Sequence, residues 1–358
     1  MCSCRFLDGG LTAFVSKALT AGVAAVLLFS GCRQEPVEPT TADHGFAKGA
    51  DISWVTEMES QGMMFYNKLD QKRECTELMK ELGFNSIRLR VWVNPASSWN
   101  SAQDVLIKAR RASALGMRLM IDFHYSDSWA DPGQQTKPNA WKKYTVDQLA
   151  SAVATHTGDV LKLLKDNAID VEWVQVGNEV DDGFLWESCR LTKDPAAFAK
   201  VANAGYDAVK AVYPDAKVIM HRGNGHERDA FEWFLKTLVG AGVRFDMIGM
   251  SHYPCWWDSS KKKYTDWKNL TPTLVDNINE FYRTYGKKVM VCEVGMPVTE
   301  PETAAEMLSW LLEKTKDNEA CAGVFYWEPE APSGYNGGYD KGAFKDGKAT
   351  AALAPFAD

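Results

Sequence analysis

The chain has 358 residues, enough for one large α/β domain and too few for two. A formal net charge of -7 speaks against a nucleic-acid partner, and it disfavours a polyanionic substrate unless a local basic cleft overrides the net value. The hydrophobic fraction of 46% supports a large core, while 13 Trp and 12 Tyr exceed what that core needs and leave aromatic surface for flat, partly apolar ligands such as sugar rings.

At the N-terminus, Arg5 and Lys17 precede an apolar run over 18–29. It is short for a membrane span but fits the apolar region of a signal peptide. The run ends in Leu28-Phe29-Ser30-Gly31-Cys32, and small residues before a cysteine resemble the bacterial lipobox. Residues 1–31 therefore read as a lipoprotein signal peptide, with Cys32 lipidated; ordinary secretion with cleavage elsewhere is the alternative. Residues 32–45, polar and proline-bearing, read as a flexible tether. One acyl chain binds a membrane only marginally, so stable anchoring needs several. The expected location is outside the inner membrane, lipid-anchored to the bacterial cell envelope. Residues 46–358 remain as one domain.

From Phe46 onward, short apolar segments alternate with amphipathic ones. The pattern predicts strands at 49–53, 86–93, 118–124, 173–178, 217–221, 247–252, 288–293 and 323–327. Helical patterns lie at 70–82, 103–115, 146–165, 195–212, 227–239, 274–285 and 303–314. Eight strands separated by helices predict an α/β fold, a (β/α)8 TIM barrel in a single domain; an open doubly wound sheet is the competing topology. No GxGxxG or GxxxxGK[ST] follows an early strand, which weighs against the nucleotide-binding versions.

The predicted strands repeatedly end in polar and aromatic residues: Arg88 to Trp92, Asp122 to Tyr125, Asn178-Glu179, His221-Arg222, Ser251 to Pro254, Glu293 and Trp327-Glu328. In a barrel, the carboxyl ends of the strands carry the active site. Glu179 and Glu293 follow the fourth and seventh strands, which face each other across the mouth. Two carboxyl groups so placed suit retaining glycoside hydrolysis, one as nucleophile and the other as acid and then base. Asn178 is positioned to hydrogen-bond a sugar 2-OH. A salt-bridged or surface pair is the bland reading for any two glutamates. The Asn-Glu dipeptide after an apolar strand, with a second glutamate after another, argues against it here.

Several segments carry a more specific resemblance. They are FAKGADISWVTEMESQG at 46–62, NSIRLRVWVNP at 85–95, IDFHYSDSWADPGQQTKPNAW at 121–141, VQVGNEVDDGFLW at 174–186, DMIGMSHYPCWW at 246–257, CEVGMP at 292–297 and GVFYWEPE at 323–330. Together they resemble glycoside hydrolase family 53, the endo-β-1,4-galactanases, over nearly the whole chain beyond the tether. The resemblance implies a retaining endo-acting enzyme on the β-1,4-galactan of pectic arabinogalactan, with Glu179 as acid/base and Glu293 as nucleophile. It also implies an arginine, Arg88 or Arg90, beside the nucleophile to keep it ionised, while a less charged site holds Glu179 protonated. His124, His252, Tyr253 and Trp327 match pocket positions, Trp327 as the platform under the sugar. Trp92, Asp122, Asp127, Trp129 and Asp131 are expected in supporting substrate-binding roles. Residue by residue, His124 could instead hold Asp122, Trp92 and Trp141 could be core, and Asp131 before Pro132-Gly133 could make a turn.

The chain also departs from the family pattern. Val294-Gly295-Met296-Pro297 follows the nucleophile where Thr-Gly-Tyr-Pro is usual, and Gly223 stands near a usual aspartate. Ser251-His252-Tyr253 replaces Ser-Tyr-Tyr. None of these replaces either glutamate. No cofactor is expected, and no ligand cluster calls for calcium; His221, His226 and Glu227 lack the HExxH spacing of a zinc site. Cys75, Cys189, Cys255, Cys292 and Cys321 form an odd set without metal-like spacing, and Cys292 and Cys321 read as buried thiols. A monomer is expected. Two rival functions stand: another β-glycanase of the same clan, such as a mannanase or glucanase, and a surface glycan-binding protein without catalysis.

Overall fold

Alternation along the second strand shows how the barrel forms. In β2 (Ser86–Val91), Ile87, Leu89 and Val91 join the apolar layer between strands and helices, while Ser86, Arg88 and Arg90 take the opposite face, which lines the barrel. The same rule runs through β1 (Ala47–Asp51), β3 (Arg118–Phe123), β4 (Trp173–Val176), β5 (Lys217–Arg222), β6 (Met247–His252) and β8 (Cys321–Trp327), and through β7 (Val289–Val294) as far as Cys292. These eight parallel strands close in the order β1-β8-β7-β6-β5-β4-β3-β2. The computed structural model describes residues 45–357. The expected signal peptide, Cys32 and nearly all of the tether lie outside them.

Inside the barrel, Ala47, Met120, Trp173, Ile219, Met247, Met290, Cys292 and Phe325 form a separate buried cluster. It plugs the lower interior as packed layers of side chains do in such barrels. Gly49 is required there: a Cβ on it would lie 2.1 Å from the Phe325 ring. Charged residues can therefore occupy only the upper end of the barrel.

Helices α2 (Cys75–Glu81), α3 (Ala102–Ala114), α4 (Val146–Asp166), α5 (Pro195–Val212), α6 (Arg228–Gly240), α7 (Thr271–Tyr285) and α8 (Pro301–Thr315) follow successive strands; a short α1 (Val55–Ser60) precedes α2. After β8 a 3-10 segment, Ala351–Phe356, packs against α8 in place of a final α-helix. Their starts are encoded locally. Thr145 and Gln148 form a reciprocal capping box on α4, and Ser101 caps α3. The pattern at 70–82 yields a helix only from Cys75, because Lys72–Arg73 pairs with Phe65–Tyr66 in a small sheet completed by Phe344–Lys345 and Lys348–Ala349. The five cysteines among the described residues are buried and form no disulfide. No helix among the described residues is long and apolar enough to cross a membrane.

Candidate active site

Arg88 organises the mouth of the barrel. It is 1% exposed, and its guanidinium contacts Asp51 of β1 at 2.7 Å, Asp122 of β3 at 3.0 Å and Glu293 of β7 at 3.0 Å. Its Nε donates to Gln175 Oε1 at 2.6 Å, and an Nη donates to Asn178 Oδ1 at 2.9 Å. One planar cation thus ties five side chains from four neighbouring elements, a geometry that suits arginine and not lysine. Of the two candidate arginines, Arg88 is the one beside Glu293.

Arg90, two residues on, serves a different cluster. It pairs with the buried Glu328, and Glu328 also accepts from the Trp54 backbone N–H at 3.1 Å. Nε and one Nη of Arg90 have no hydrogen-bond partner among the described residues. Instead the guanidinium lies 4.4, 5.1 and 5.6 Å from the rings of Trp129, Trp54 and Trp92. Cation–π contact supplies the attraction that hydrogen bonds do not. The expectation of Arg90 at the nucleophile or the sugar is therefore corrected: it is fully buried and holds the aromatic wall.

Glu293 reaches the mouth through a bulge. Strict alternation after Cys292, which points into the barrel, would turn Glu293 outward. The β6–β7 register shifts between Val291 and Glu293, so the carboxyl turns inward. One carboxylate oxygen meets Arg88 and the other accepts from the Tyr253 hydroxyl at 2.7 Å. Glu179 arrives by a different device. Beyond β4 the chain turns through Gly177, at φ +96, and a Cβ there would meet Val180 at 2.5 Å. Glu179 itself has φ 42, a conformation a non-glycine residue holds only when its surroundings enforce it. Gln135 donates to the carbonyls of Asn178 and Glu179, at 2.8 and 3.2 Å, and helps to enforce it.

The two carboxyls sit in different electrostatic settings. Burial pushes Glu179 well above the usual carboxylate range, and the neighbouring charge of Glu293 pushes it further; the Ser251 hydroxyl and Arg88 pull the other way. Burial raises Glu293 as well, but Arg88 and the Tyr253 hydrogen bond oppose the rise. The resemblance led us to expect an ionised Glu293 held by a cation. Arg88 is there, yet burial outweighs it. Of the two, Glu179 still holds its proton more tightly.

A neutral histidine backs Glu179. His221 is driven well below its usual range by burial and by Arg88. Its Nδ1 faces Gln175 Nε2 at 2.8 Å, Asn178 Oδ1 at 3.1 Å and the Glu179 backbone N–H at 3.4 Å; because Gln175 Oε1 and Asn178 Oδ1 are both taken by Arg88, Gln175 Nε2 is the donor at the shortest contact, and Nδ1 is assigned as the acceptor. That leaves the proton on Nε2, 2.9 Å from Ser251 Oγ, and frees the Ser251 hydroxyl proton for Glu179.

Other expected residues divide into those at the site and those that support it. His124 takes the alternative raised for it: Nε2 meets Asp122 at 3.0 Å, while Nδ1 accepts from Trp92 Nε1 at 3.2 Å and from the Ala130 N–H. Burial alone would raise Asp122, but Arg88 and His124 more than offset it and hold it below the usual range. Trp92 is buried beneath this group. Asn178 donates to the Ala130 carbonyl and accepts from Arg88, so its amide is largely committed. Trp129 and Trp327 are half-buried with ring centroids 5.9 Å apart, and with Trp54 and Tyr339 they form the wall of the mouth.

One expectation is corrected. His252 is fully buried against Thr271 and driven down to about 3 by burial, so it lies behind the site; Tyr253 alone of that pair reaches it. Asp127 accepts from the Asn94 and Asn139 backbone N–H groups, and Asp131 from those of Gly133 and from Gln134 Nε2. Both shape their loop. Sequence reasoning missed Asp51, Gln175, His221 and Ser251 as members of the network. Their one signal is a polar residue at an inward position of an apolar strand. Among the described residues no group of three or more His, Cys, Asp or Glu is arranged to hold a metal.

Comparison with known proteins places this geometry. The arabinogalactan endo-β-1,4-galactanase A of Aspergillus niger is 32% identical over 307 residues, covering 79% of this chain and 84% of that one. Among solved structures, a fungal β-1,4-galactanase matches with a TM-score of 0.77 at 28% identity, covering 86% of this chain and 98% of that one. The catalytic domain of an Ignisphaera aggregans protein of the same family matches at 0.74 and 28%, covering 87% and 95%. The family model for glycosyl hydrolase family 53 spans residues 47–356, from the first strand to the closing 3-10 turn, and the chain belongs to that family.

Proposed function

We infer that the chain is a retaining endo-β-1,4-galactanase whose acid/base is Glu179 and whose nucleophile is Glu293. The observation that carries the assignment of roles is Arg88, bonded to Glu293 at 3.0 Å while Glu179 lies in the less compensated setting. The Aspergillus relatives are named arabinogalactan endo-β-1,4-galactanases, which supports galactan as the substrate.

The reaction follows from the two carboxyls. Glu179 donates its proton to the glycosidic oxygen as that bond breaks, and a Glu293 oxygen attacks the anomeric carbon to form a galactosyl ester. Esterification removes the charge of Glu293, which is one of the influences holding the proton on Glu179. Glu179, now ionised, is a better base. It takes a proton from water, the hydroxide attacks the anomeric carbon, and Glu293 leaves as a carboxylate. Arg88 and Tyr253 stabilise that carboxylate before and after the ester. The half-buried Trp327 ring offers a platform for the sugar. In this reading the two carboxyls do the chemistry without a cofactor, and we propose a monomer.

The test is release of reducing ends from unbranched β-1,4-galactan, mannan and β-glucan, with a Glu293→Ala variant alongside. Release from galactan alone, abolished in the variant, supports substrate and nucleophile together. Release from mannan or glucan instead overturns the substrate and leaves the mechanism. Galactan binding without hydrolysis identifies a glycan-binding protein. We further propose export and lipid anchoring to the bacterial envelope through Cys32. Metabolic labelling with a fatty acid, lost in Cys32→Ser, tests that proposal.

A further inference from the structure

Beyond β6 the chain rises into a hairpin, Trp257–Asp258 paired with Lys263–Tyr264, that the catalytic network does not use. It is firmly attached. The Thr265 N–H donates to the Trp256 carbonyl at 3.0 Å, the Trp256 N–H donates to Thr265 Oγ1 at 3.1 Å, and Cys255 Sγ lies 3.1 Å from the Thr265 carbonyl. Tyr264 reaches across to Thr299 in the loop after β7. Because it follows Tyr253, whose hydroxyl touches Glu293, the hairpin stands on the rim of the catalytic mouth.

Two features of it are unusual. Trp256 and Trp257 are 50% and 54% exposed, adjacent, and Trp257 is held edge-on by Tyr264 at 5.3 Å between centroids. At the tip, Lys261, Lys262 and Lys263 follow one another, all exposed. Lys261 pairs with Asp258 at 2.9 Å, whereas Lys262 and Lys263 have no carboxylate partner among the described residues. In a chain of net charge -7, the rim thus carries a local cationic tip beside bare indole rings.

We propose that this hairpin is a docking ridge for a carboxylate-bearing polysaccharide segment, the uronate-containing backbone to which neutral galactan chains are joined. The proposal rests on the galactanase reading of the cleft. Indole faces stack on sugar rings of any charge, but a neutral galactan gives the two lysines nothing to bind. Sugar carboxylates along a chain do, and they would hold the enzyme where its substrate is attached. An anionic lipid surface would also suit tryptophan beside lysine. It fits worse, because docking this face on a membrane would cover the mouth that holds Glu179 and Glu293.

The experiment compares the wild-type protein with Lys262→Gln/Lys263→Gln and with Trp257→Ala. Substrates are unbranched neutral β-1,4-galactan and galactan still joined to its uronate backbone, and polygalacturonate serves as a direct binding probe. The lysine variant should lose about fivefold in kcat/KM on the uronate-bearing substrate, mainly through KM, and nothing on the neutral one. The difference should vanish at about 0.5 M salt, where surface charges are screened. Trp257→Ala should lose roughly threefold on both. Polygalacturonate should bind the wild type and not the lysine variant. Equal rates of wild type and lysine variant on the uronate-bearing substrate, or binding to vesicles of anionic lipid in place of polygalacturonate, would overturn the ridge. Failure to cut either galactan, with lysine-dependent polygalacturonate binding intact, would overturn the galactanase reading and leave the ridge standing.

Discussion

Arg88 and Arg90 stand two residues apart on one strand, both inside the barrel and both fully buried, yet they belong to different machines. Arg88 meets three carboxylates, one of them the proposed nucleophile. Arg90 meets Glu328 and three tryptophan rings. The difference comes from height in the barrel and from which neighbours the register brings alongside. Register sets Arg88 beside Asp51 on one side and Met120, just below Asp122, on the other; Arg90 is set beside Asp122 but extends toward the end of β8. A buried arginine is thus defined by its company. One set of neighbours includes the proposed nucleophile, and the other holds an aromatic wall upright.

The sharpest separation removes the carboxylate from each. Glu293→Ala should lower hydrolysis by roughly 10⁴-fold or more, because it removes the attacking group, while Glu328→Gln should leave kcat within about tenfold. Initial rates on galactan decide it. A kcat collapse in Glu328→Gln would erase the distinction drawn between the two clusters.

Next come the arginines themselves. Arg88→Met strands Asp51, Asp122 and Glu293 without their cation and should cost about 3–5 kcal/mol of stability together with most of the activity. Arg90→Met should cost a comparable amount of stability, but its kinetic loss should appear in KM. Chemical denaturation alongside steady-state kinetics measures both. If Arg90→Met abolished kcat in a folded protein, the aromatic wall would be part of the chemistry.

The pH profile probes the Arg88 side more finely. Ser251 favours the ionised form of Glu179, so Ser251→Ala should raise the acid further. The alkaline limb of kcat/KM, which reports loss of the protonated acid, should then move to higher pH. Tyr253 donates to ionised Glu293, so Tyr253→Phe should raise the nucleophile and move the acidic limb upward, narrowing the bell from that side. Each movement should be about one pH unit or less. Opposite movements would reverse the roles of the two glutamates. The smallest effect is expected at the loop: Asp127→Asn and Asp131→Asn should each cost about 1 kcal/mol or less in stability, with kcat unchanged.

Much of this was legible in the chain. Period-two alternation marked the strands, helical patterns separated them, and polar strand ends marked the face that carries the site. What alternation could not supply was the inward turn of Glu293. By period it faces out, and only a bulge against β6 turns it in. Nor could spacing distinguish Arg88 from Arg90, or tell that His252 is buried behind the site while its neighbour Tyr253 enters it. Asp131 before Pro132-Gly133 carries the signature of a turn, and it accepts from the Gly133 N–H as that signature foretells.

The sequence by itself determined the eight barrel strands, their alternation with helices and the two candidate glutamates, since these depend on local periodicity and on short motifs. The tertiary structure alone decided which arginine serves which carboxylate and which face Glu293 presents. Those depend on strand register and on a bulge, contacts between residues far apart in the chain, and no local pattern encodes them.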